Sequence, residues 1–256
     1  MYTISFDRHK IAHKFKGITM TAIAIYNNQL LIRRPSEDAR QYTYRVIKTH
    51  ILRVFFKPGQ KLNELEFANV LQVSRTPVHE TFIKLSRESL VEIVQNQGAF
   101  VSRLNPKKVE EAIWMHEQLG NYAIQQIFLH PLSDTKFHTL NYLLDRLEDC
   151  VKKNEFDHIA RIILEFYHQL YSAAGDMNHI WEALKKNDSD FQRLLFFAVG
   201  NVFIGQGFLL ELRELMKALK ENNIDKACSI YSAHLTHISL FLEPTKQYHP
   251  EFLYNN

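Results

Sequence analysis

The sequence predicts a mainly α fold in two parts: a small three-helix unit closed by a β-hairpin, then an all-α helical bundle. Three observations carry this. Apolar residues recur at helical spacing through most of the chain after Ala39. Two short β-prone runs, Leu90 to Val94 and Ala99 to Val101, flank the turn-like residues Gln95-Asn96-Gln97-Gly98. Beyond Asn105-Pro106 no sustained alternation of period two appears, so the second part has no sheet to build.

Residues 1–39 form an N-terminal extension. The apolar runs at 21–26 and 29–34 flank Asn27-Asn28, and Asn tolerates the positive φ of a two-residue hairpin turn. The alternatives are an irregular extension or a chain that begins at Met20. No function is assigned to this segment.

The first unit spans residues 40–104. Ile47, Ile51, Val54 and Phe55 mark one face of a first helix, which Pro58-Gly59 stops. Asn63 caps a second helix, Glu64 to Leu71. Ser74 caps a third, which carries Pro77 in its first turn, where a missing N–H costs nothing, and runs to Arg87. Helix, helix, tight turn, helix and hairpin is the order of a winged helix-turn-helix. The second unit spans 105–243, with helices expected near 107–128, 134–153, 156–174, 177–187, 189–204, 209–221 and 224–242, punctuated by Pro131, Gly175 and Gly205/Gly207. Residues 244–256 read as a C-terminal tail.

Charge divides along the same boundary. Residues 40–103 carry 10 Lys and Arg against 5 Asp and Glu, whereas residues 104–256 carry 15 against 20. A basic unit joined to an acidic one implies that only the first meets a polyanion. Cys150 and Cys228 are too few and too far apart for a disulfide framework or a zinc knuckle. No run reaches membrane-span length and the start is charged rather than apolar, so the expected compartment is the cytoplasm. No nucleophile elbow, HExxH, Walker loop or dinucleotide-binding glycine turn occurs, so no enzyme is expected.

Residues 58–104 resemble the GntR family of bacterial regulators. The resemblance is carried by Pro58-Gly59, Leu62-Asn63-Glu64, Ala68, Leu71, Val73-Ser74-Arg75-Thr76-Pro77-Val78, Glu80, Leu85, Leu90-Val91, and Gly98 with Val101. It implies operator DNA as a partner, contacted by Ser74, Arg75, Thr76, His79, Lys84, Arg87 and Gly98. The residues agree with this: a helix N-terminus suits a phosphate, and an arginine there can fork onto a guanine edge. His79 stands one turn on from Arg75, where the family usually has arginine. The wing tip, Gln95 to Gly98, lacks Lys and Arg, and Arg103 can compensate.

Residues 165–176 and 211–235 resemble the FCD effector domain of the FadR-type subfamily. That resemblance implies a small-molecule effector, an organic acid or acyl compound, and a homodimer. The subfamily's metal-ligand positions fall on Ile163, Tyr167, Leu212 and His234, so only one imidazole survives and neither metal nor cofactor is expected there. His168 lies one residue off, which rotates it about 100° around the helix. His116, Tyr167, Arg193, Tyr231 and His234 are the candidate effector contacts. Two readings stand for the histidines: pocket residues, or core residues with satisfied hydrogen bonds. The alternative function is a helical interaction module whose winged helix binds protein rather than DNA.

Overall fold

The computed structural model describes residues 32–175, 177–200 and 202–254. The hairpin expected within residues 21–34 and the alternative start at Met20 fall on or mostly on residues outside this set. The chain divides into two compact units, residues 1–103 and 104–256.

In the first unit α1 spans Ala39–Leu52. A capping box opens it: the Gln41 amide donates to Asp38 Oδ1 (2.7 Å) while the Asp38 amide donates to Gln41 Oε1 (3.0 Å). β1 (Lys61–Leu62), α2 (Glu64–Leu71), α3 (Arg75–Arg87), β2 (Val91–Val94) and β3 (Gly98–Val101) follow. The first helix ends three residues earlier than its apolar spacing predicts, and Val54 lies beyond it with φ 57°. Asn63 caps α2 as expected, its Oδ1 accepting from the Leu65 and Glu66 amides. Ser74 occupies the N-cap position of α3, but its hydroxyl makes no capping bond. All three helices turn one face inward. Ile47 and Ile51, Phe67 and Leu71, and Val78, Phe82 and Leu85 share one core with Leu90 and Val101. Phe67 stands edge-on to both Phe56 and Phe82.

β2 and β3 form the expected hairpin, antiparallel from Val91 opposite Val101 to Val94 opposite Gly98. Asn96 (φ 62°) and Gly98 (φ 109°) take the left-handed conformations of its turn. A two-residue strand absent from the sequence reading completes the sheet: β1 pairs with β3, in the order β1-β3-β2. Two residues are too short for an alternating pattern to be seen.

The second unit comprises α4 (Pro106–Leu129), α5 (Asp134–Lys153), α6 (Phe156–Ala173), α7 (Asn178–Lys185), α8 (Ser189–Ala198), α9 (Val202–Lys220), α10 (Ile224–Ser239) and α11 (Leu242–Tyr248). α4 packs on α10, α6 and α8, while α5 packs on α6 and α9. Gly205 and Gly207 lie inside α9 rather than ending a helix; the break falls between Ala198 and Val202. Gly205 has a packing role, since a Cβ there would meet Ile159 Cδ1 at 3.1 Å. Within the segment read as a C-terminal tail, residues 244–254 are structured. The chain continues through α11 and a 3-10 turn, Pro250–Phe252, and Leu253 bridges in parallel to Leu104. Phe252 and Leu253 are buried. Among the described residues no single helix is long and apolar enough to cross a membrane.

Candidate functional site

α3 buries Val78, Phe82 and Leu85 and exposes Ser74, Arg75, Thr76 and His79 together at its N-terminal end. The first-turn N–H groups of a helix have no intrahelical partner, which suits a phosphate oxygen, and Arg75 extends that positive edge. His79 is held from below: its Nδ1 lies 2.8 Å from Glu64 Oε1 at the start of α2. The helix-turn-helix therefore presents a cation and an imidazole whose direction is set by a neighbouring carboxylate.

Lys84 does not join this surface. Nine residues after Arg75 it lies half a turn away around α3. Its Nζ sits 3.6 Å from the centroid of the Tyr44 ring on α1. Tyr44 in turn donates to Glu88 (2.6 Å), which Lys48 also contacts (2.7 Å). The charge of Lys84 thus serves the α1–α3 packing. Arg87 is exposed in the last turn of α3, and Gly98 is exposed at the wing. Lys61 was not legible as a site residue. β1 sets its side chain beside the wing, with Cε 3.5 Å from where a Cβ on Gly98 would stand and Nζ over the Phe100 ring. The cation missing from the hairpin tip comes from this neighbouring strand.

In the helical unit four of the five candidate effector residues converge. His116 of α4, Tyr167 of α6, and Tyr231 and His234 of α10 are all fully buried. Tyr167 Oη lies 2.7 Å from His234 Nε2, and His234 Nδ1 lies 2.6 Å from Glu211 Oε2. A carboxylate only accepts, so Nδ1 donates, and a neutral His234 then takes the Tyr167 hydroxyl at Nε2. The other oxygen of Glu211 meets His237 Nδ1 at 2.5 Å, on the exposed side of α10. Around His116, Nδ1 lies 3.1 Å from Tyr171 Oη, which is 2.8 Å from Tyr231 Oη, while Nε2 faces Asp188 at 3.4 Å. The Tyr167 ring links the two groups, 5.9 Å from His234, 5.6 Å from His116 and 6.1 Å from Tyr231.

Burial pushes the phenols of Tyr167, Tyr171 and Tyr231 up, so all three remain neutral hydroxyls. Burial also pushes Glu211 up, but its bonds with His234 and His237 outweigh this, and its carboxyl lies below the usual range. Arg193 is buried too, but it pairs with Asp190, whose other oxygen accepts from the Asn105 amide (3.0 Å). It anchors the start of α4. Ile163 and Leu212 are fully buried, as are Tyr167 and His234, whereas His168 stacks on Trp181 with ring centroids 5.0 Å apart. Sequence reasoning missed Tyr171, Asp188 and Glu211. Tyr171 stands one helical turn from Tyr167 and was open to detection; Asp188 and Glu211 acquire meaning only from partners on other helices.

Residues 40–101 match the family model of bacterial regulatory proteins, gntR family. The HTH-type transcriptional repressor RspR of Escherichia coli K12 is 22% identical over 213 residues, covering 83% of this chain and 92% of the relative. Among solved structures, E. coli McbR/YncC superposes with a TM-score of 0.68 at 17% identity, over 81% of this chain and 99% of that one. A GntR-type transcriptional regulator from Rhodococcus sp. RHA1 gives 0.69 at 18% identity, over 80% and 97%. The gntR match covers the exposed end of α3, the wing and β1, and with the regulators matched along most of the chain it favours DNA over a protein partner. The chain is thus a DNA-binding transcriptional regulator whose first unit carries a gntR-type helix-turn-helix.

Proposed function

We propose that this regulator binds operator DNA as a homodimer on two half-sites, and that a small molecule received by the helical unit modulates its affinity. On this reading Ser74, Arg75, Thr76 and His79 contact the DNA at the recognition helix, Arg87 and Lys61 contact phosphates, and Gly98 lets the wing approach closely. A single winged helix covers little DNA surface, and two copies supply operator-level affinity. The helical unit is read as an FCD-like domain of the FadR type.

The observation that carries the effector reading is the fully buried polar cluster of His116, Tyr167, Tyr171, Tyr231 and His234. Burying polar groups costs free energy unless they are bonded, and an apolar core of the same shape would avoid the risk. Neutral hydroxyls and imidazoles are donors suited to a carboxylate or carbonyl oxygen. A ligand that takes over these hydrogen bonds shifts the protein between two states by its differential affinity for them, typically about 1–3 kcal/mol.

The test is a thermal-shift screen of organic acids and acyl compounds on wild type, Tyr167→Phe and His234→Ala, with operator gel shifts on every hit. A compound that stabilises wild type, moves operator affinity, and loses both effects in the variants supports the reading. A compound that acts equally on all three proteins places the effector elsewhere.

A further inference from the structure

A second group of donors lies outside the buried cluster, at the junction of α5 and α6. The junction turns sharply: Asn154 is left-handed (φ 57°) and the Glu155 amide donates back to the Cys150 carbonyl (2.9 Å). This brings three unlike donors together: the thiol of Cys150 from the end of α5, the carboxylate of Glu155, and the imidazole of His158 from the first turn of α6. Glu155 Oε2 lies 3.5 Å from Cys150 Sγ and 3.1 Å from His158 Nδ1, and the three donor atoms all lie within 4.8 Å of one another. Glu155 stands at the N-cap of α6, yet its side chain caps nothing; it turns to the thiol and the imidazole.

We infer that Cys150, Glu155 and His158 form a binding site for a divalent transition ion of the zinc class. Two of the donor separations match a tetrahedral shell. With Zn–S of about 2.3 Å and Zn–O and Zn–N of about 2.0 Å, tetrahedral angles put S and O about 3.5 Å apart and N and O about 3.3 Å apart. The two separations that Glu155 makes are close to both, so one ion can take the place of its hydrogen bonds to the thiol and the imidazole. Sulfur, nitrogen and carboxylate oxygen together select a borderline-soft ion over magnesium or calcium. Cys150 is buried, whereas Glu155 and His158 are exposed, so the fourth position faces water.

Binding displaces the thiol proton to solvent and leaves a thiolate on the metal, so affinity rises with pH. Burial, then the bond to Glu155, hold the free thiol above its ordinary range. The nearby charges of Arg146 and Lys153 act the other way and favour the thiolate. The site is separate from the Ile163, Tyr167, Leu212 and His234 positions, where the sequence argues against a metal. An ion here would tie the end of α5 to the start of α6, the helix that carries Tyr167 and Tyr171.

The experiment loads the full-length, metal-stripped protein with Co²⁺ and then displaces it with Zn²⁺. One ion per chain is expected, with a thiolate-to-cobalt charge-transfer band in the near ultraviolet. The band should vanish in Cys150→Ser and persist in Cys228→Ser. His158→Ala, at an exposed position, should weaken binding by at least about tenfold, the lower end of the loss from removing even an outer-shell partner. Zn²⁺ should raise the thermal midpoint of wild type but not of Cys150→Ser. Absence of the band, its survival in Cys150→Ser, or affinity unchanged in His158→Ala would overturn the assignment.

Discussion

The Glu64 carboxylate at the start of α2 holds the His79 imidazole on α3 at 2.8 Å, so one side chain of the proposed DNA-contacting surface is aimed by the neighbouring helix. The pair is largely exposed, so it adds little stability, about 0.2–1 kcal/mol. Its consequence is electrostatic. On the proposed docking, a negative charge stands beside the face that approaches phosphate. Glu64→Gln should tighten binding to cognate and random DNA alike and leave the thermal midpoint almost unchanged. Unchanged affinity in a gel shift would place Glu64 off the interface.

Arg75 is expected to carry sequence readout. Arg75→Ala should cost about 1–3 kcal/mol on the cognate operator and relax specificity at one base position. Equal loss on random DNA would reduce it to a phosphate contact. His79→Arg should tighten binding or change the preferred base, because it substitutes a permanent cation with a forked donor set.

Lys61 and Lys84 should behave oppositely. Lys61→Ala should lower the slope of log affinity against log salt by about 1, as loss of one phosphate contact does. Lys84→Ala should leave that slope intact and cost about 0.5–1 kcal/mol of stability, from the cation–π contact with Tyr44. A reversed pattern would exchange their roles.

Gly120 of α4 gives way to the Tyr231 ring. A Cβ there would stand 2.0 Å from Tyr231 Cε1, too close for any small adjustment. Gly120→Ala should therefore destabilise the protein by about 1–3 kcal/mol and displace Tyr231 from Tyr171. Tyr231→Leu in the same chain should recover part of that loss. A strictly additive double variant in thermal melts would show that the two positions do not meet.

Acid should weaken the start of α1. The hydrogen bonds from Arg45 lower the Glu37 carboxyl from 4.5 to about 2. A folded value below the unfolded one means the pair stabilises fully above about pH 4.5 and loses that contribution as pH falls toward 2. Glu37→Gln should lower the thermal midpoint at pH 7 and flatten its decline over that acid window. Parallel curves for the two proteins would dismiss the pair as a stabilising element.

Much of the first unit was legible because its signals are local. Asn63 caps the helix it precedes, Val78, Phe82 and Leu85 repeat at one face of α3, and Asn96 and Gly98 satisfy a turn within four residues. The half-turn offset of Lys84 from Arg75 follows from the helical period alone. The burial of Ile163, Tyr167, Leu212 and His234 likewise agrees with the stripes that each helix carries, because a 3.6-residue period identifies the inward face without knowledge of the neighbour.

By itself, then, the sequence determined most of the helical stretches, though not α11 or the start of α9, and which face of each turns inward. Tertiary structure alone decided which polar side chains meet. Glu211 became the partner of His234, Asp188 faced His116, Arg193 paired with Asp190, and β1 carried Lys61 to the wing. The terminal segment acquired structure when Leu253 found Leu104. Each of these depends on hydrogen bonds or packing between segments far apart in the chain. Helical period and capping act over a few residues, and they cannot specify a partner that chain folding brings near only in three dimensions.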